Sequence, residues 1–144
     1  MPWDGPNNAF IAQAHGMKTY PTIVEGSIVS FENLDNLQMR VHDYFKYLKF
    51  GYDRVSDWAS VYIRRNRLSR AEAMKLIKQH AGKFPRSYLG CSLEEILEEI
   101  NVTPEEFTAI CDRYTNKKLF KCDANGNLIK DSYGNLTKIN YDNE

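Results

Sequence analysis

A chain of 144 residues with 42% apolar side chains is long enough for one domain with a real core. Nineteen basic and nineteen acidic residues cancel, which excludes the whole-molecule attraction to nucleic acid or anionic membranes that a strongly basic protein shows. No apolar run approaches the ~20 residues of a membrane span, and three widely spaced cysteines without CxxC spacing read as reduced thiols of a cytoplasmic protein. The neutrality hides an asymmetry: Lys and Arg gather in 40–70 and acids in 92–114, which predicts a basic side and an acidic side.

The opening MPWDGPNN has neither the basic nor the apolar region of a signal peptide. Its PWD reads like a loop entered from an earlier strand. Residues 6–15 predict a short helix with Phe10, Ile11 and Ala14 on one face and a stop at Gly16. Residues 22–31 are rich in β-branched side chains but hold Gly26, consistent with a hairpin-like extended piece.

A second helix is expected over 37–50, with Val41, Tyr44, Phe45 and Leu48 facing the core. A third, over 54–66, carries the clearest stripe: Val55, Trp58, Ala59, Tyr62 and Ile63. Three more begin with capping boxes at Ser69…Glu72, Ser92…Glu95 and Thr103…Glu106, where a hydroxyl takes an orphan backbone N–H and the acid reaches back. They predict helices over 70–80, 93–100 and 104–114, with Gly82 and Asn101 as stops. Leu76, Ile77, Ile96, Leu97, Ile100, Phe107, Ile110, Cys111 and Tyr114 are the expected core contacts. The tail repeats itself: DANGNLIK at 123–130 is followed by DSYGNLTK at 131–138, turn chemistry between strand-compatible residues. The expected fold is mainly α, a bundle of about five or six helices with short hairpin-like pieces near 22–31 and 119–139. Its expected parts are 1–36, an N-terminal helix and extended segment left from an upstream α/β core; 37–115, the helical domain; and 116–144, a hairpin-like tail.

The stretch HDYFKYLKFGYDR, 42–54, is the richest in chemistry. Wound as a helix at about 100° per residue, it puts His42, Lys46, Lys49 and Asp53 on one narrow ridge beside the apolar stripe, with Arg54 following Gly51. Lysine supplies point charge and arginine a planar fork, both suited to phosphate oxygens. Snorkelling lysines on a solvated helix edge give the same pattern. Asp53 and Asp57 fit either ion pairing or ligand orientation. A helix-turn-helix using LSRAEAMKLIKQHAG at 68–82 is a rival that the neutral charge disfavours. A zinc site from Cys91, Cys111, Cys122 and His80 or His42 lacks short ligand spacing. A calcium loop from Asp123, Asn125 and Asn127 has its glycine at the wrong position and no closing Glu. GxSxG, HExxH, a Walker lysine and a Gly-rich phosphate cradle are all absent.

PWD at 2–4, ENLD at 32–35, the long block at 42–89 and NKKLFKCDANGNLIKD at 116–131 together resemble the C-terminal part of N-acetyl sugar amidotransferases. These are bacterial enzymes of surface-polysaccharide and nonulosonic acid (pseudaminic or legionaminic type) biosynthesis. The resemblance implies an ATP-pyrophosphatase-type α/β domain upstream, ATP and Mg in the full-length enzyme, and a nucleotide-sugar substrate. It also implies a glutaminase and ammonia-channel subunits that supply ammonia, which turns an acetamido into an acetamidino group. The SGGxDS-like loop of that family is absent from this sequence, so the chain is expected to act as a substrate- and pyrophosphate-facing segment that binds no cofactor alone. His42, Lys46, Lys49, Tyr52, Arg54 and Asp57 match the family block and are the candidate substrate- or phosphate-binding residues. Lys49→Ala or Arg54→Ala is then expected to abolish turnover with the fold intact. The alternative is a non-catalytic helical module that binds an acidic protein or nucleic acid.

Overall fold

The computed structural model describes residues 4–139. Six helices form among them: α1 Gly5–Ala14, α2 Met39–Phe50, α3 Arg54–Arg64, α4 Arg70–His80, α5 Leu93–Glu98 and α6 Pro104–Tyr114. Two short antiparallel strands, β1 Ser87–Tyr88 and β2 Cys91–Ser92, pair between α4 and α5. The fold is mainly α, as the sequence predicts.

The helix starts follow from local chemistry. Ser69, Ser92 and Thr103 each accept from the backbone N–H three residues on, and Glu72, Glu95 and Glu106 close the reciprocal bond. Gly51 ends α2 in the left-handed conformation at φ 75°, where a side chain would be strained. That corner turns the chain back, and Asp53 restarts it by capping α3 through the Val55 N–H at 3.1 Å.

The core lies between α2, α5, α6 and the tail. Tyr44, Leu48, Leu97, Phe107, Cys111 and Phe120 form its buried centre. Tyr44 meets Phe84 edge-on at 5.6 Å, and Phe84 meets Phe107 at 6.0 Å. Tyr47, left off the expected stripe of α2, is buried as well, so α2 is covered on most of its circumference. Burial pushes the Cys111 thiol up to about 12, which makes it inert. A smaller cluster of Val24, Tyr88 and Ile96 joins the 20–31 segment to β1 and α5.

Three expected contacts sit elsewhere. Ile100, Ile110 and Tyr114 are exposed. α5 stops at Glu98, and Asn101 turns the chain at φ 54°, carrying Ile100 out of the helical register. α6 gives the core only Phe107 and Cys111, one turn apart, and leaves its flank in solvent.

The segment 20–31 doubles back through Tyr20 N–H to Ser30 O and Val24 N–H to Val29 O, without a strand ladder. The tail is a three-limbed meander with bridges Cys122↔Leu128, Lys130↔Leu136 and Phe120↔Lys138. Its two repeats fold alike. Asp123 accepts from the backbone of Asn125 and Asn127, and Asp131 from Tyr133 and Asn135. These Asx turns consume the carboxylate that the calcium-loop reading would need.

On α1, Phe10 and Ile11 of the expected apolar face are 74% and 50% exposed. Trp3 lies outside the described residues, as do 140–144 of the expected tail. No helix of the described residues is long and apolar enough to cross a membrane.

Candidate functional site

Two helices joined by the Gly51 corner bring side chains eleven apart in sequence together. Arg54, the first residue of α3, reaches back to Asp43 on α2 with two bonds, Nε to Oδ2 at 2.6 Å and Nη2 to Oδ1 at 3.0 Å. Its Nη1 meets Glu32 Oε1 at 3.0 Å. One turn further along each helix, Lys46 Nζ meets Asp57 Oδ2 at 2.5 Å. Trp58 closes the floor, donating its indole N–H to Glu32 and packing edge-on against Phe31 at 5.5 Å.

These side chains wall an open cleft of about 250 Å³, lined also by His42 and Val61. Four of the six sequence candidates meet there: His42, Lys46, Arg54 and Asp57. Lys49 and Tyr52 do not. Lys49 lies over the Tyr114 ring at 5.7 Å, on the α6 side. Tyr52 supports Lys46 through its ring face at 4.9 Å and lines a separate groove. Asp53, placed on the ridge by continuous winding, is fully buried, because α2 ends before it.

The electrostatics differ from a simple cationic ridge. Glu32, Asp43 and Asp57 outnumber Lys46 and Arg54, and both cations are already engaged. Burial works to lower the Arg54 pKa, but its pairs with Asp43 and Glu32 outweigh that and hold it above the ordinary value. The cleft therefore presents mixed, pre-positioned donors and acceptors over an indole edge. Such a surface suits a neutral polyhydroxylated group better than a bare polyanion.

Glu32, Asp43 and Trp58 were missed as site residues. An acid inside an aromatic helix face was the available signal at Asp43, since a buried carboxylate needs a partner. The indole of Trp58 looked purely like core.

Mg, implied by the resemblance together with ATP for a full-length enzyme, does not fit the cleft. Each of its carboxylates is held by a cation or the indole N–H, and the described residues contain no cluster of three or more metal-ligating side chains.

The family model described as LPS biosynthesis protein WbpG-like, C-terminal domain, matches residues 19–133. A search of curated proteins found no match. The matched span takes in α2 to α6 and every residue of the cleft, and the chain belongs to this WbpG-like family of LPS biosynthesis proteins, as its C-terminal domain.

Proposed function

We propose that the protein is the substrate-facing C-terminal segment of an ATP-dependent N-acetyl sugar amidotransferase, working in the cytoplasm on a nucleotide-linked sugar. In that reaction a sugar acetamido group becomes acetamidino, with ammonia delivered from a glutaminase partner through ammonia-channel subunits, in bacterial surface-polysaccharide or nonulosonic acid synthesis. ATP and Mg belong to an upstream ATP-pyrophosphatase domain, and this chain positions the sugar.

Membership of an LPS biosynthesis family supports the pathway. The observation that carries the site is the α2–α3 cleft, where Asp57 and Lys46 stand at the opening above Trp58. Sugar hydroxyls are donors and acceptors at once. A carboxylate beside an ammonium serves both needs. A site built on such bonds discriminates sharply against analogues that lack the hydroxyl or N–H.

The test uses a full-length enzyme that carries this segment, with the acetamidino product followed by mass spectrometry. Lys46→Ala and Asp57→Asn are expected to raise KM for the nucleotide sugar at least ~10-fold, about 1.4 kcal/mol each, with melting curves unchanged. Both residues are partly exposed, so the fold tolerates the changes. Wild-type KM in both variants would remove the cleft from the site. Absence of acetamidino product from the intact enzyme would remove the amidotransferase reading itself.

A further inference from the structure

A second pocket lies on the other side of the α2 N-terminus, and its floor is a buried guanidinium. Arg40, in the first turn of α2, is 3% exposed. Its Nη2 donates to the Lys83 carbonyl. Its Nη1 is the one buried side-chain polar atom without a hydrogen-bond partner among the described residues. Leaving a buried charged donor unmatched is costly, and native folds do so rarely.

Only glycine at 26 leaves room for the Arg40 guanidinium: it turns at φ 75°, and a Cβ there would come within 2.5 Å of Nη1. The adjoining pocket holds about 230 Å³ and is rimmed by His80, Lys83, Arg86 and Ser87. Its acid, Glu25, is committed to the loop: Oε2 accepts the Leu89 N–H at 3.2 Å and Oε1 the Ser87 hydroxyl at 3.4 Å. Arg86 is steadied by the Tyr133 carbonyl at 3.0 Å. Three cations thus line a cavity whose one lining carboxylate is engaged, while Asp53 and Asp43 act on Arg40 from outside the pocket. Burial, and to a lesser extent the nearby Lys83 charge, hold the His80 pKa below its ordinary value.

We propose that this pocket binds a phosphate-class oxyanion, with Arg40 Nη1 donating to one of its oxygens and Lys83 and Arg86 closing over it from the rim. A buried fork aimed at the anion, with flexible cations outside, is the arrangement that favours multiply charged oxygen ligands over monovalent ones. The proposal does not rest on the sugar reading of the α2–α3 cleft.

The test is isothermal titration of the chain with inorganic diphosphate, inorganic phosphate, uridine diphosphate and acetate at fixed ionic strength, with His80 followed by NMR. Saturable one-site binding of diphosphate is expected, with acetate at least ~10-fold weaker and the His80 pKa rising on binding. Lys83→Ala/Arg86→Ala is expected to weaken diphosphate at least ~10-fold, which is about 1.4 kcal/mol. Both side chains are exposed, so this variant keeps its melting temperature. Lys18→Ala/Lys121→Ala removes the same charge elsewhere and is expected to leave the affinity unchanged. Tighter binding of uridine diphosphate than of inorganic diphosphate assigns the site to an esterified phosphate; the reverse order assigns it to the free anion. No saturation, equal weakening in the two double variants, or preference for acetate would overturn the proposal.

Discussion

Arg54→Ala is expected to lower the stability of the chain by about 3 kcal/mol in urea unfolding followed by circular dichroism. The reason is Asp43, whose side chain is 8% exposed and whose two oxygens are both taken by the Arg54 fork. Removing the guanidinium leaves a carboxylate inside the α2–α3 interface with only the weak approach of His42 Nδ1 at 3.4 Å. Arg54→Lys keeps a charge but not the planar fork, and is expected to fall between wild type and Ala. The double change Arg54→Met/Asp43→Leu removes both charges and is expected to recover most of the loss, because the cost lies in the orphan rather than in the pair. A loss under ~1 kcal/mol in Arg54→Ala would show that Asp43 reaches solvent or another partner. The sequence alone suggested Arg54→Ala as a clean probe of turnover. Its place under Asp43 and Glu32 makes it a probe of folding first, which is why Lys46 and Asp57 take over that role.

Asp53→Ala is the second large effect, also about 3 kcal/mol. One carboxylate does two jobs from a fully buried position: it caps α3 through Val55 and accepts the Gly82 N–H at 2.8 Å. Loss of the cap contributes roughly 1 kcal/mol, and the orphaned Gly82 N–H roughly 2. Burial pushes the Asp53 pKa up, against the bonds from Gly82 and Val55 and the field of Arg40 that pull it down. A folded pKa above the unfolded one has a definite sign. The contribution of Asp53 is fullest below its unfolded pKa of about 3.9 and shrinks as pH rises through the folded value. The gap between wild type and Asp53→Ala should therefore be wider at acidic pH. Equal stability of the two proteins across the pH range would contradict the double role.

The helices were legible because their signals are local. Three capping boxes and the Val55–Trp58–Ala59 stripe need nothing beyond a few neighbouring residues, and each matches the structure. The cleft was legible only in part, because it depends on where α2 stops. Winding 42–54 as one helix placed Lys49 and Asp53 on a ridge with His42 and Lys46. The left-handed Gly51 breaks that winding before Asp53, which is buried, while Lys49, still within α2, lies over Tyr114 of α6 instead of the cleft. Glu32 enters from a loop whose path no periodicity encodes. Arg40 was one cation among the eight of 40–70, and nothing in its spacing marks a guanidinium for burial.

The most direct measurement is a heteronuclear NMR titration of the chain with UDP-N-acetylglucosamine, taken as a difference against UDP. Subtracting the UDP response isolates what the sugar itself touches. The expected result is a saturable sugar-dependent shift at the Trp58 indole N–H and at the side chains of His42 and Lys46, with Lys49 and Tyr114 unmoved. Sugar-dependent shifts that gather at Lys49 and Tyr114, or none at Trp58 at saturating ligand, would contradict the placement of the sugar between α2 and α3.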